Sequence, residues 1–167
     1  MLKKHVPPIK KYTVVRDTKE HEGHGWEWRA SKYCSGTQCQ SLATGDYTLA
    51  GLPEDYFVIE RKGSVGEWAK NVVEKRFERE LVRLDNFIYP FIILEFSVYD
   101  ILNYPIGSGI PKYRWKYLRV RGPFILQRTM EIMTDHKVKI LFCGDKGKDV
   151  AVQLFKRIGG SAGHLLS

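Results

Sequence analysis

The run Pro90-Phe91-Ile92-Ile93-Leu94-Glu95-Phe96 constrains this chain more than any other feature. Its apolar residues do not alternate with polar ones, so it reads as a strand covered on both faces, the kind found in sheets layered between helices. Val138-Lys139-Ile140-Leu141-Phe142 reads as a second buried strand. Ahead of both, Ala69, Val73, Phe77, Leu81 and Leu84 recur at three- and four-residue intervals and predict one helix from about Gly66 to Asn86. Pro123, suited to a first helical position, opens another helix carrying Leu126, Met130 and Met133, whose methionines read as packing. A last helix over 149–157 places Val150, Leu154 and Ile158 on one face. These elements specify an α/β domain.

Shorter elements precede that core. Tyr12 to Arg16 read as a first strand ending at Asp17, and Thr18 to Cys39 as a long loop rich in Gly, His and Trp. Strands at Tyr47–Leu49 and Tyr56–Arg61 flank a turn, Gly51-Leu52-Pro53-Glu54-Asp55. Residues 1–11, with two prolines and four lysines, read as a mobile basic arm, and 161–167 as a tail.

At 167 residues the chain is of single-domain size. Its formal charge of +8 points to an anionic partner, nucleic acid before membrane. No stretch is apolar enough to span a bilayer, and the N-terminus lacks the apolar core of a secretory signal, so cytoplasmic residence is the expectation. Three cysteines, an odd number, form no disulfide framework.

The chemistry-bearing segments are Gly45-Asp46-Tyr47 and, a short way downstream, Glu60-Arg61-Lys62. On a strand, Glu60 and Lys62 share a face and Arg61 takes the other. Asp46 on the preceding strand or turn can approach Glu60 across a hairpin. Two carboxylates are a suitable hard-oxygen pair for Mg²⁺ or Mn²⁺, which retain waters and accept phosphate oxygens. Glu80 projects from the middle of the apolar helical stripe, where Arg76 one turn earlier is a structural partner and a role at the site's edge is the other reading.

Together with Asp17-Thr18-Lys19-Glu20, Arg76-Phe77-Glu78-Arg79-Glu80-Leu81 and the apolar run from Tyr89 to Phe96, these ordered blocks resemble the XPF-type nuclease domain over roughly residues 12–160. Stand-alone phage and bacterial members are the most similar, and for a phage protein the compartment would be the bacterial host's cytoplasm. The resemblance implies a three-layer, restriction-endonuclease-like α/β fold with a central mixed sheet. It also implies a metal-dependent DNA endonuclease that nicks one strand of branched or junction-containing DNA. Asp46 and Glu60 would hold the metal, with Asp17 a further ligand or a supporting acid, and Lys62 would orient the attacking water. Lys19, Glu20, Arg61 and Glu80 are supporting residues, Arg61 by locking the loop or contacting a neighbouring phosphate. Lys19 stands where the family carries Arg, which removes bidentate recognition, and Glu67 lies one residue beyond the position of a further family acid. Nothing after Gly159 is long enough for an appended helix-hairpin-helix module. Homodimerisation through the C-terminal strand and helix is a further implication.

Lys112-Tyr113-Arg114-Trp115-Lys116-Tyr117-Leu118-Arg119-Val120-Arg121 interleaves cations with aromatics. Read as a strand, it places the rings on one face and Arg114 and Lys116 on the other. DNA contact through Lys112, Arg114, Lys116, Arg119 and Arg121, with Trp115 stacking on a base, is the functional reading; an edge strand guarded by charge is the structural one. His21, His24, Cys34 and Cys39 supply four potential zinc ligands in a spacing that fits no established finger, so no stoichiometric zinc is expected. A noncatalytic DNA-binding partner subunit and a sequence-specific restriction or nicking enzyme are the alternatives. Retention of the acids argues against the first, and the lack of an added recognition region against the second.

Overall fold

The computed structural model describes residues 11–20 and 24–160. The basic arm, Lys11 apart, His21 and the tail 161–167 lie outside the described residues. Six strands form one mixed sheet in the order β2-β1-β3-β4-β5-β6, with β1 Tyr12–Asp17, β2 Cys34–Gln40, β3 Tyr47–Leu49, β4 Phe57–Lys62, β5 Tyr89–Leu94 and β6 Lys139–Phe142. Strand β3 runs antiparallel to both its neighbours, β1 and β4, whereas β4, β5 and β6 are parallel. The β4-to-β5 crossover carries helices α1 Val65–Asn71 and α2 Lys75–Leu84, and the β5-to-β6 crossover carries α3 Val98–Leu102 and α4 Gly122–Asp135. Helix α5, Gly147–Phe155, follows β6.

The doubly buried reading of β5 holds. Ile92 and Leu94 pack with Trp68, Leu81 and Ile125 on one side of the sheet. Phe91 and Ile93 pack with Tyr47, Trp26 and Phe155 on the other. Two apolar layers flanking one sheet give the three-layer α/β architecture. The side with α1, α2 and α4 is tied together by Trp68, whose indole donates to Thr129 Oγ1 at 2.9 Å, while Thr129 donates to Ile125 O at 2.7 Å.

Four expectations from the sequence are corrected. The single helix over 66–86 is two helices, broken at residues 72–74. Val72 is buried and Val73, placed in the apolar stripe by periodicity, is 52% exposed. Consecutive β-branched valines favour a break, and Arg128 Nε donates to the freed Val72 carbonyl at 3.3 Å. Part of the presumed loop 18–39 is β2, a parallel edge strand on β1 whose exposed polar sequence gives no alternation to detect. On α4 the buried residues are Gly122, Ile125, Thr129 and Ile132, while Met130 and Met133 are exposed. Lys112–Tyr117 is a 3₁₀ helix and not a strand.

Candidate active site

The short β3–β4 hairpin assembles the site. Tyr47 pairs with Ile59, and extending that register by one residue sets Asp46 opposite Glu60 on the sheet face beneath α2. The Asp46 amide donates to Ile59 O at 2.9 Å, and the Asp17 amide donates to Asp46 O at 2.8 Å. Asp17, Asp46 and Glu60 therefore line up as a row across β1, β3 and β4. Gly45 makes the close approach possible: it has φ +78°, and a Cβ there would fall 2.1 Å from Val58 Cγ2. The Asp46 side chain is fixed by a 2.7 Å hydrogen bond from the Arg61 amide to Oδ2.

Lys62 lies on the same face, its Nζ 2.6 Å from Glu60 Oε1, and both residues are 5% exposed. The Phe77 ring, 5.2 Å from Nζ, screens the pair from above. Burial and the Asp46 carboxylate raise the Glu60 pKa well above the ordinary carboxyl value, against the opposing pull of Lys62. Burial likewise raises Asp46 to about 7, with Glu20 and Glu80 adding to the rise and the Arg61 amide and Lys62 opposing it. For Lys62, burial favours the neutral amine, yet Glu60, Glu80 and Glu67 together raise its pKa above the ordinary lysine value. Glu80, from α2, stands beside Glu60 and adds to the rise of its pKa. It faces the site while Arg76 is exposed, so its place is at the site's edge.

The neighbouring acids are differently used. Asp17 is buried and accepts from the Leu42 amide through Oδ1 at 2.9 Å. Glu67 accepts from the Gly63 amide at 3.0 Å near the start of α1 and stands 3.9 Å from Lys62 Nζ. Lys19 is exposed in the turn from Asp17 to Glu20.

Arg61 occupies the opposite face, as strand alternation requires. Its guanidinium is 2.6 Å from Glu95 Oε2 and 3.4 Å from Glu20 Oε2, and it lies over the Trp26 ring at 5.4 Å. Trp26 Nε1 donates to Glu95 Oε1 at 2.9 Å, and Tyr47 OH donates to Glu20 Oε2 at 2.9 Å. Arg61 is thus committed to protein carboxylates and locks the back of β4; the expected phosphate contact does not fit this placement. Sequence reasoning missed Trp26, Tyr47 and Glu95 in this assembly. The available signal was an acid, Glu95, ending the most apolar strand at the carboxyl edge of the parallel strands, where open α/β sheets place their sites.

The expected DNA-contact residues sit apart from this cluster in sequence and on a different scaffold. Lys112, Arg114, Lys116, Arg119 and Arg121 are all exposed. Trp115 is half-buried and donates its indole N–H to Ile110 O at 2.8 Å, so it anchors the 3₁₀ helix. The exposed rings are Tyr113 and Tyr117, at 68% and 72%, each beside a cation: Arg114 5.9 Å from the first, Lys116 4.9 Å from the second. Of the four potential zinc ligands, Cys34 is buried with Sγ engaged by Gly36, and Cys39 is exposed. The two lie at opposite ends of β2, roughly 15 Å apart at strand rise.

Among the described residues, no group of three or more His, Cys, Asp or Glu side chains converges into a metal cage. The Asp46–Glu60 pair nevertheless fits a divalent cation held by few protein ligands. Both carboxyls resist ionisation where they stand, because burial and the neighbouring carboxylates outweigh the Arg61 amide and the Lys62 ammonium. A cation at their exposed edge would remove that imbalance.

The ERCC4 domain family model matches residues 16–151. The fold is similar to that of XPF from Aeropyrum pernix, with a TM-score of 0.56 and 18% identity over 87% of this chain and 60% of that one. XPF from the same organism in complex with DNA gives a TM-score of 0.57 at 18% identity, covering 88% of this chain and 64% of that chain. The chain therefore spans less than two thirds of either structure, and at this identity the likeness is one of fold. No curated protein matches. With the family model spanning most of its length, from the end of β1 into α5, the chain belongs to the ERCC4 domain family.

Proposed function

We propose that this chain is a Mg²⁺- or Mn²⁺-dependent endodeoxyribonuclease that hydrolyses one strand of branched or junction-containing DNA. The observation that carries the reading is the juxtaposition of half-buried Asp46 with the buried pair Glu60 and Lys62 on one sheet face, with Lys62 Nζ 2.6 Å from Glu60. Family membership and a basic chain of net charge +8 support DNA as the substrate.

Asp46 and Glu60 would hold the metal, backed by Asp17 one strand away. A divalent cation bound there would lower the pKa of a water molecule and offset charge on the scissile phosphate. Lys62, kept protonated by its carboxylate neighbours, orients the attacking water and stabilises charge that develops on the phosphoryl oxygens. Glu80 lies beside Glu60 and helps to keep Lys62 protonated. Glu20 and Arg61, joined to Glu95 and Tyr47, keep β4 in register behind the reacting groups. The exposed cations from Lys112 to Arg121 would track phosphates and set the duplex on this face, with Lys19 adding charge beside β1. Exposed Met130 and Met133 on α4 support pairing of two copies through the C-terminal half of the chain.

The test is cleavage of end-labelled flap, fork, four-way-junction and plain duplex DNA with Mg²⁺. Single-strand nicks near the branch, lost with a chelator, are expected. Cleavage of none of them by folded protein would contradict the enzyme reading, and cutting of plain duplex at one sequence would favour a restriction-type enzyme.

A further inference from the structure

A cavity of about 520 Å³ opens beside the carboxylate row, on the same sheet face and outside the reacting groups themselves. Its floor is Val15 and Val58, its walls include Leu52 and Phe87, and Asn86 and Arg83 stand at its rim. Val58 precedes Glu60 by two residues on β4, Val15 precedes Asp17 by two on β1, and Thr48, also in the lining, follows Asp46 by two on the antiparallel β3. Same-face neighbours on a strand are about 7 Å apart, so the cavity begins one short step from the carboxylates on three adjacent segments. That step is comparable to the reach of one nucleotide.

The lining chemistry limits the occupant. Buried valines form an apolar floor, and Phe87 is half-buried in the wall, where a ring can lie against a flat heterocycle. Thr48 in the lining is already satisfied, donating to Phe57 O at 2.6 Å. The exposed Asn86 amide can both donate and accept at a base edge, the Glu54 and Asp55 carboxylates in the lining suit the amino groups of a base, and the exposed Arg83 guanidinium suits a phosphate at the mouth. An apolar slot with a polar rim, adjoining a phosphodiester site on a chain of charge +8, matches a nucleobase turned out of its stack.

We infer that this cavity receives one unpaired nucleobase of the DNA, from the nucleotide next to the phosphate held at Asp46 and Glu60. The inference rests on the nuclease reading and sharpens it. A phosphodiester is presented to the carboxylates when its neighbouring base leaves the stack, which costs least at a branch, mismatch or single-strand junction. Preference for branched DNA would then originate in the nuclease domain itself.

The experiment places a single mismatch, or a single abasic nucleotide, at successive positions of one strand of a duplex. Affinity is measured by fluorescence anisotropy with Ca²⁺, and nicking of the same probes with Mg²⁺. Both lesions relieve pairing, but only the mismatch retains a base to fill the cavity. At one position the mismatch should bind roughly tenfold more tightly than the abasic probe, and 2-aminopurine there should brighten on binding. Ala43→Trp, at an exposed residue of the lining, should remove the difference. Equal affinities for the two lesions at every position in the wild type, or a difference that survives in folded Ala43→Trp, would overturn the inference. The 2-aminopurine signal needs no variant, and its absence at every position would overturn the inference as well. If nicking occurs without these effects, the inference fails and the nuclease reading stands. If the base preference is seen in Ca²⁺ and no probe is nicked in Mg²⁺, the nuclease reading fails and the cavity remains a base-binding site.

Discussion

Lys62 Nζ approaches Glu60 Oε1 to 2.6 Å, and this ammonium is the counter-charge buried against the carboxylates of Asp46, Glu60 and Glu80. One cation against that many acids leaves the cluster electrostatically frustrated. Asp46, lifted to about 7, and Glu60, also raised, both take up protons more readily folded than unfolded.

Metal-free stability should therefore respond to pH in the direction opposite to an ordinary salt-bridged acid. A carboxyl whose folded pKa is raised contributes fully below its unfolded value and loses that contribution as pH rises through the folded value. The melting temperature in a chelator should fall from about pH 4 to beyond pH 7. Asp46→Asn should flatten that slope and stabilise the metal-free protein at pH 8 by about 1–2 kcal/mol, below the full linkage value because Asp46 is half-exposed. Divalent metal should reverse the decline in the wild type only. A metal-free protein that gains stability over this range would show the cluster to be ionised and already balanced.

Arg61 bridges two acids, and its removal should be costly. Arg61→Ala strands Glu20 and Glu95 and should destabilise by about 2–4 kcal/mol in urea unfolding. Arg61→Lys should restore little, because an ammonium does not reproduce the planar contact with two carboxylates and Trp26. A loss under about 0.5 kcal/mol would place the pair with ordinary surface bridges.

The 3₁₀ helix changes which residues should matter for DNA. Neutralising Arg114 and Lys116 together should reduce the log–log salt dependence of binding by about two units, similarly for all sequences. Tyr113→Ala and Tyr117→Ala should weaken forked DNA more than plain duplex, since exposed rings can stack on unpaired bases. Trp115→Ala should lower stability, because its indole bonds Ile110 O inside the segment. Unchanged salt slopes in a folded Arg114→Ala, Lys116→Ala protein would move the DNA-binding face elsewhere.

Zinc is expected to be absent in stoichiometric amount. Elemental analysis of purified protein should find far less than one zinc per chain, and Cys34→Ser, Cys39→Ser should leave chelator sensitivity unchanged. One tightly held zinc per chain, lost in the double variant, would contradict the separation of the two thiols along β2.

What was legible in the sequence follows from periodicity. The continuous apolar run gave β5, the two-residue alternation at Glu60-Arg61-Lys62 put Arg61 on the face opposite its neighbours, and the Gly45-Asp46 turn was readable as the partner of Glu60. Periodicity could not reveal β2, where an exposed edge strand carries Ser, Thr and Gln in place of an apolar face. It also ran α1 and α2 together, since Val73 continues the three- and four-residue pattern across a break held by Arg128 of α4, which bonds the Val72 carbonyl. Alternating aromatics suggested a strand at Lys112–Tyr117, yet Gly107 and Gly109, both at positive φ, deliver the chain into a 3₁₀ helix away from any partner strand. Glu95 and Trp26 were invisible as a pair because 69 residues separate them.

The most direct measurement of the central claim is single-turnover nicking of forked DNA with Mg²⁺ by the wild type, Glu60→Gln and Lys62→Met. Circular dichroism and Ca²⁺-dependent binding would show that each variant is folded and engages DNA. The wild type should nick, and each variant should lose at least about 10²-fold in rate while retaining affinity, because the lost groups act on the developing charge more than on the bound substrate. Near-wild-type nicking by folded Lys62→Met would contradict the assignment of the reacting site to the Asp46–Glu60–Lys62 cluster.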